Sequence, residues 1–164
     1  MSSETTAAAT GAVGKVRRDP MAMRPFIGYH AADYFSHWLE LGEKHAGSLP
    51  KIFYVNWFRK SEDKKYLWPG FSENMRVLEW AFDRCANSIQ ANESPLGLLP
   101  KVEDLNLEGL SLSKNEMDEL LNVDKDEWVS ELKLQIEFLN MFGDKLPPKL
   151  KEEYQKLEKA VNNM

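Results

Sequence analysis

The chain has 164 residues, 43% hydrophobic and 29% charged, enough for one domain with a modest core. Its formal net charge of -5 argues against nucleic acid or an anionic membrane surface as the main partner. No apolar run approaches the roughly eighteen residues of a membrane span, and the N-terminus lacks the hydrophobic block of a signal peptide, so a cytoplasmic location is the expectation.

Residues 1–14 are small and polar, and a stretch that buries so little surface is expected to be mobile when alone. Gly11, Gly14 and Lys15 lack the spacing of a phosphate-binding loop and the Ser or Thr that should follow its lysine. Pro20 and Pro25 fix the path of 19–29, and 31–45 reads as a helix with Tyr34, Phe35, Trp38, Leu39 and Leu41 on its apolar face. His30, His37 and His45 follow at seven and eight residues, about two turns of helix and too far apart to share one metal ion.

Residues 47–50 connect to the most aromatic part of the chain. Trp57, Phe58, Tyr66, Trp68 and Phe71 fall within fifteen residues of a chain that is 11% aromatic. Residues 52–58 are rich in β-branched and aromatic side chains, 59–65 are charged and turn-like, and 66–68 can return as a short second strand. Both faces of 52–58 are apolar, the pattern of a strand covered on both sides within a wider sheet. With one possible partner strand, the sequence asks for strands it does not contain, which points to a fragment or to a partner chain.

Pro69 and Gly70 end the strand, Ser72 is a candidate N-cap, and Glu73 stands in the first turn of a helix. Val77, Leu78, Ala81, Phe82 and Cys85 are its expected buried face. The only cysteine, Cys85, permits no internal disulfide and reads as an inert core thiol rather than a nucleophile. Trp57, Phe58, Tyr66 and Phe71 would gather at one end of the sheet with the free amide of Asn74 beside them, a slot able to stack a purine and read its edge. The same rings are also consistent with ordinary core.

Pro95, Gly97 and Pro100 punctuate a linker, and 102–112 is irregular, with leucines at 105, 107, 110 and 112. Three helical segments follow. Ser113 with Glu116 has the capping-box pattern, Asp124 or Asp126 can cap the next helix, and Val129, Leu132, Ile136 and Leu139 form its seam, widened by Leu134, Phe138 and Met141. Gly143 ends that helix, and Pro147-Pro148 opens the last, whose stripe is Leu150, Tyr154, Leu157 and Val161; the two helices should pack antiparallel. A cap on the sheet and a partner-binding coiled coil both remain open for them.

NWFRK, followed after a short charged turn by LWPGFSEN, resembles the guanine-binding segment of the GTP-dependent phosphoenolpyruvate carboxykinases, where NWFRKD and FLWPGFGEN are the usual spellings. SETTAAA at 3–9 resembles the family's active-site lid, and RDPMAMRPFIGY at 18–29 resembles the run after it. YFSHWL, LPKIFYVNW and SPLGLLPKVEDLNLEGL continue the likeness in the family's order over essentially the whole chain. AAATGAVGK stands where vertebrate members read AAAEHKGK, and is similar to bacterial members.

The resemblance implies an α/β fold, the C-terminal part of the carboxykinase nucleotide-binding lobe, here mostly helical with one hairpin and an incomplete sheet. It implies three parts of one larger domain: a mobile lid at 1–18 that includes Thr6, Ala7 and Ala8, a guanine-binding segment at 19–92, and a helical subdomain at 93–164. Guanine would be surrounded by Trp57, Phe58, Tyr66 and Phe71, with Ser72, Glu73 and Asn74 at its edge; Tyr66 stands where Phe is usual. The implied activity, in gluconeogenesis, converts oxaloacetate and GTP to phosphoenolpyruvate, carbon dioxide and GDP. It uses Mn2+ and Mg2+ whose ligands, like the phosphate loop and the dicarboxylate-binding arginines, are expected outside this chain, leaving the fragment alone inactive. The implied whole is a monomer with no nucleic-acid or membrane partner. A stand-alone guanine-nucleotide binding module and a non-catalytic helical interaction module remain as alternatives. Met1 also aligns with an internal methionine of the family, as a mis-started reading frame would.

Overall fold

Residues 2–4, 16–18 and 23–164 are described by a computed structural model of the chain. Among them the chain divides into two units, one formed by residues up to Leu49 with Val129–Lys159, the other by Pro50–Trp128 with Ala160–Met164. Helices predominate in both.

In the first unit, β1 (Ser2–Glu4) pairs antiparallel with β2 (Val16–Arg18), placing Ser3 opposite Arg17. Thr6, Ala7 and Ala8, the expected lid residues, lie outside the described residues. Helix α1 (Ala31–Lys44) starts where His30 Nδ1 accepts a hydrogen bond from the Ala32 amide, so this histidine serves as an N-cap. Ala32 is buried against Phe138 and Phe142, with Phe35, Leu139 and Leu146 around them. Phe142 is the hub: its ring meets Phe138 edge-on at 5.1 Å and Phe35 at 5.5 Å.

The second unit contains α2 (Asn74–Ala86), the antiparallel pair β3 (Asn92–Ser94) and β4 (Gly97–Leu99), and α3 (Lys114–Leu121). Trp80, Leu105 and Met117 form its core, packed round by Ala81, Ile89, Val102, Leu107, Leu112 and Leu120. The irregular leucines of 102–112 thus serve to seat α2 against α3. The capping box expected at Ser113 is present: Ser113 Oγ accepts from the Glu116 amide, and the Ser113 amide donates to Glu116 Oε2 at 2.8 Å.

Helices α4 (Lys125–Asn140) and α5 (Pro148–Asn162) follow the expected signals. Asp124 is the cap chosen, its Oδ1 accepting from the Glu127 amide at 2.8 Å. Gly143 turns the chain with φ +53°. Lys125 Nζ donates to the Asn162 carbonyl and Tyr154 Oη to the Leu132 carbonyl, so numbering falls along one helix as it rises along the other, the antiparallel arrangement. Leu132, Phe138 and Val161 are buried, whereas Met141 is 60% exposed.

Three expectations are corrected. The hairpin of 52–58 with 66–68 does not form; it is reduced to a bridge between Lys60 and Tyr66, while the antiparallel hairpin falls at 92–99, in the expected linker. The physical reason is that a strand apolar on both faces needs a layer over each, and among the described residues Ile52 and Tyr54 are left uncovered. Ser72 does not cap α2: a 3-10 turn at Phe71–Glu73 leads into it, and Glu73 occupies the cap position without a side-chain cap bond. Finally, the face expected for α2 is right at Val77 and Ala81, which are partly buried, and wrong at Leu78, Phe82 and Cys85. Trp80 is the buried residue, while Leu78 is 54% and Phe82 75% exposed, and Cys85 is an exposed thiol rather than a core one.

Candidate functional site

The segment 51–59 is held to the unit by its cations. Lys51 Nζ donates to the Arg84 carbonyl and to Asn87 Oδ1, capping the end of α2. Arg59 donates to the carbonyls of Leu120 at 3.0 Å and Asn122 at 2.6 Å, which the end of α3 leaves unpaired. Between these anchors Phe53 meets the Trp80 ring edge-on at 5.9 Å. Exposure then alternates, Ile52 at 92%, Phe53 at 38%, Tyr54 at 73% and Val55 at 41%, so one side of the segment is covered and the other is open.

Beyond the anchors lie the rings. Phe58 and Tyr66 meet edge-on with centroids 6.2 Å apart, and Lys60 Nζ stands 4.9 Å from the centre of the Tyr66 ring. Phe58 is 72%, Tyr66 58% and Phe71 95% exposed. Among the described residues these rings join neither buried cluster of the chain. Trp57 is half-buried and sits in the turn with Phe58. The expected slot is therefore only partly assembled: Phe58 and Tyr66 touch, and at 95% exposure Phe71 closes on neither.

Asn74 begins α2, and its amide is not free as expected: Oδ1 accepts from Trp68 Nε1 at 2.9 Å, and Trp68 is buried. Glu73 is held by Arg76, whose Nε lies 2.5 Å from its Oε2; this partner, with Ser72 Oγ beside it, holds the Glu73 carboxyl below its ordinary range. Arg76 also donates to the carbonyls of Asn106 and Glu108, fixing the start of α2 to that loop. An open cleft there is lined by the carboxylates of Glu73, Glu79 and Glu108 and by Arg76, which is paired with Glu73.

Of the expected site residues, Phe58 with Tyr66 and Ser72 with Glu73 are brought into contact. Trp68 is the residue sequence reasoning missed, taken as one ring among five. The available signal was its spacing, since Pro69-Gly70 is short enough to fold an indole back onto the residue that opens the next helix. Among the described residues no three His, Cys, Asp or Glu gather to hold a metal ion, and no helix is long and apolar enough to cross a membrane.

The segment thus presents an exposed ring pair, Phe58 with Tyr66, and an exposed Phe71 one turn before the held amide of Asn74. Residues 1–160 match the family model described as the phosphoenolpyruvate carboxykinase C-terminal P-loop domain, and the chain belongs to that family. It is 49% identical over 162 residues to the "Phosphoenolpyruvate carboxykinase [GTP]" of Renibacterium salmoninarum, covering 98% of this chain and 27% of that protein. The protein of the same name from Paenarthrobacter aurescens is 50% identical over 154 residues, covering 93% and 25%, and that of Chlamydia pneumoniae 46% over 162 residues, covering 98% and 27%. The chain thus spans about a quarter of the length of these relatives.

Proposed function

We propose that this chain is the guanine-recognition part of a GTP-dependent phosphoenolpyruvate carboxykinase. The observation that carries the reading is the exposure of Phe71 one turn from an Asn74 held by Trp68, with Phe58 and Tyr66 also exposed and in contact with each other, in a chain whose relatives bear that name. The rings supply stacking, each well-stacked ring contributing about 1–3 kcal/mol, and Asn74 addresses the edge of the base. Trp57 is half-buried in the turn that carries Phe58, and Ser72 and Glu73 belong to the turn that leads into Asn74. Thr6, Ala7 and Ala8 belong to the lid in this reading, and closing a lid would exclude water from the enolate made from oxaloacetate.

The reaction assigned to the whole protein yields phosphoenolpyruvate, carbon dioxide and GDP, in gluconeogenesis in the cytoplasm. Its Mn2+ and Mg2+ do not fit the residues described here, which gather no ligand set, so no step is routed through them. The work of this chain is binding and orienting the base. The test is Phe71→Ala in the full-length enzyme. KM for GTP should rise about tenfold, the worth of one stacked ring. An unchanged KM would sink the reading.

A further inference from the structure

We infer that Trp68 sets the base selectivity of this site by fixing which way round the Asn74 amide sits; the inference rests on the guanine reading above. An indole N–H only donates, and a buried donor left without a partner costs free energy. Trp68 is 4% exposed and its Nε1 lies 2.9 Å from Asn74 Oδ1. The two ends of a carboxamide have nearly the same shape, so its orientation is decided by its partners. Here the indole claims the oxygen and leaves the amino group to face a ligand.

An amino group pairs with a carbonyl. Guanine and hypoxanthine carry an acceptor oxygen at C6, whereas adenine carries an amino group there, which would set N–H against N–H. An amide held this way round therefore favours a 6-oxopurine over adenine. The backbone keeps the indole in place: Gly70 takes φ +107°, folding 67–68 back toward α2, and Arg76 pins the helix start through Glu73, Asn106 and Glu108. Trp68 is thus a positioning residue that acts through Asn74.

The experiment is the ratio of kcat/KM for GTP to that for ATP in the full-length enzyme carrying this segment, with ITP as a third substrate. Trp68→Phe keeps the ring and removes the donor, so the amide can turn and offer its oxygen to adenine. The ratio should fall about tenfold, the worth of one hydrogen bond, with ITP following GTP. In an Asn74→Ala background the same substitution should leave the ratio unchanged, because the effect passes through the amide. Asn74→Asp guards against a folding defect at the buried indole: it keeps an oxygen for Trp68, removes the amino group, and should lower the ratio at an unchanged melting temperature. If Trp68→Phe weakens GTP and ATP use equally, or Asn74→Asp leaves the ratio intact, the inference is overturned while guanine recognition stands. A parent enzyme with no preference for GTP over ATP brings down the guanine reading and this inference together.

Discussion

Trp68 and Phe71 are three residues apart, the first 4% and the second 95% exposed. Composition alone assigns both to one aromatic cluster, because hydrophobicity says that a ring can be buried and not whether it is. What separates them is the backbone at Gly70, whose positive φ turns the chain between an inward and an outward ring. The aromatic residues of this segment are therefore legible in the sequence, and the hydrogen bond from Trp68 to Asn74 is not. Tyr66 makes the same point with a hydroxyl. Its ring is 58% exposed and lies under Lys60, so its stacking face rather than its oxygen should matter. Tyr66→Phe should leave GTP affinity within about twofold, and Tyr66→Ala should cost about 1–3 kcal/mol of binding, both read by titration calorimetry. Equal losses from the two would assign the role to the hydroxyl instead.

The elements that sequence reasoning places well are those whose signals are local. Ser113 with Glu116, Asp124, Gly143 and Pro148 each act within one turn of their own helix, and α3, α4 and α5 start or stop where these residues say. Helix α2 is apolar on two sides, Val77, Trp80 and Ala81 on one and Leu78, Phe82 and Cys85 on the other. Periodicity cannot choose between two stripes. Contact with Leu105 and Met117 chooses the first. Strands depend on partners and covering layers outside their own segment, and 52–58, whose pattern predicts a pairing with 66–68, keeps only the bridge between Lys60 and Tyr66.

The capping box of α3 carries its own prediction. Backbone and side-chain hydrogen bonds from Ser113 hold the Glu116 carboxyl below the ordinary glutamate range. Because the folded state holds this proton less tightly than the unfolded one, the contribution is present above the ordinary glutamate range and is lost as pH falls through the lowered folded value. Ser113→Ala should cost about 1 kcal/mol at neutral pH, and the gap between parent and variant in a urea melt should narrow below that range. A gap independent of pH would show that Glu116 takes no part.

At the scale of the molecule, the second unit leaves large apolar side chains uncovered: Ile52 is 92%, Tyr54 73%, Phe82 75% and Met75 66% exposed. Surface of this kind is ordinarily buried against something. With about a quarter of its relatives' length present, the chain alone should bind a hydrophobic dye and self-associate at micromolar concentration. Ile52→Lys with Phe82→Lys should raise the concentration at which light scattering still reports a monomer. No change would mean that these side chains are not the sticky surface.

Among the described residues, the amides of 52–55 make no backbone hydrogen bond, although both flanks are anchored, by Lys51 at one end and Arg59 at the other. An amide without an acceptor trades its proton for deuterium at close to the rate of an unstructured peptide, and one in a ladder exchanges more slowly by orders of magnitude. This stretch is thus a clock built into the chain: its deuterium uptake runs fast while the edge is open and stops when another strand lies down beside it.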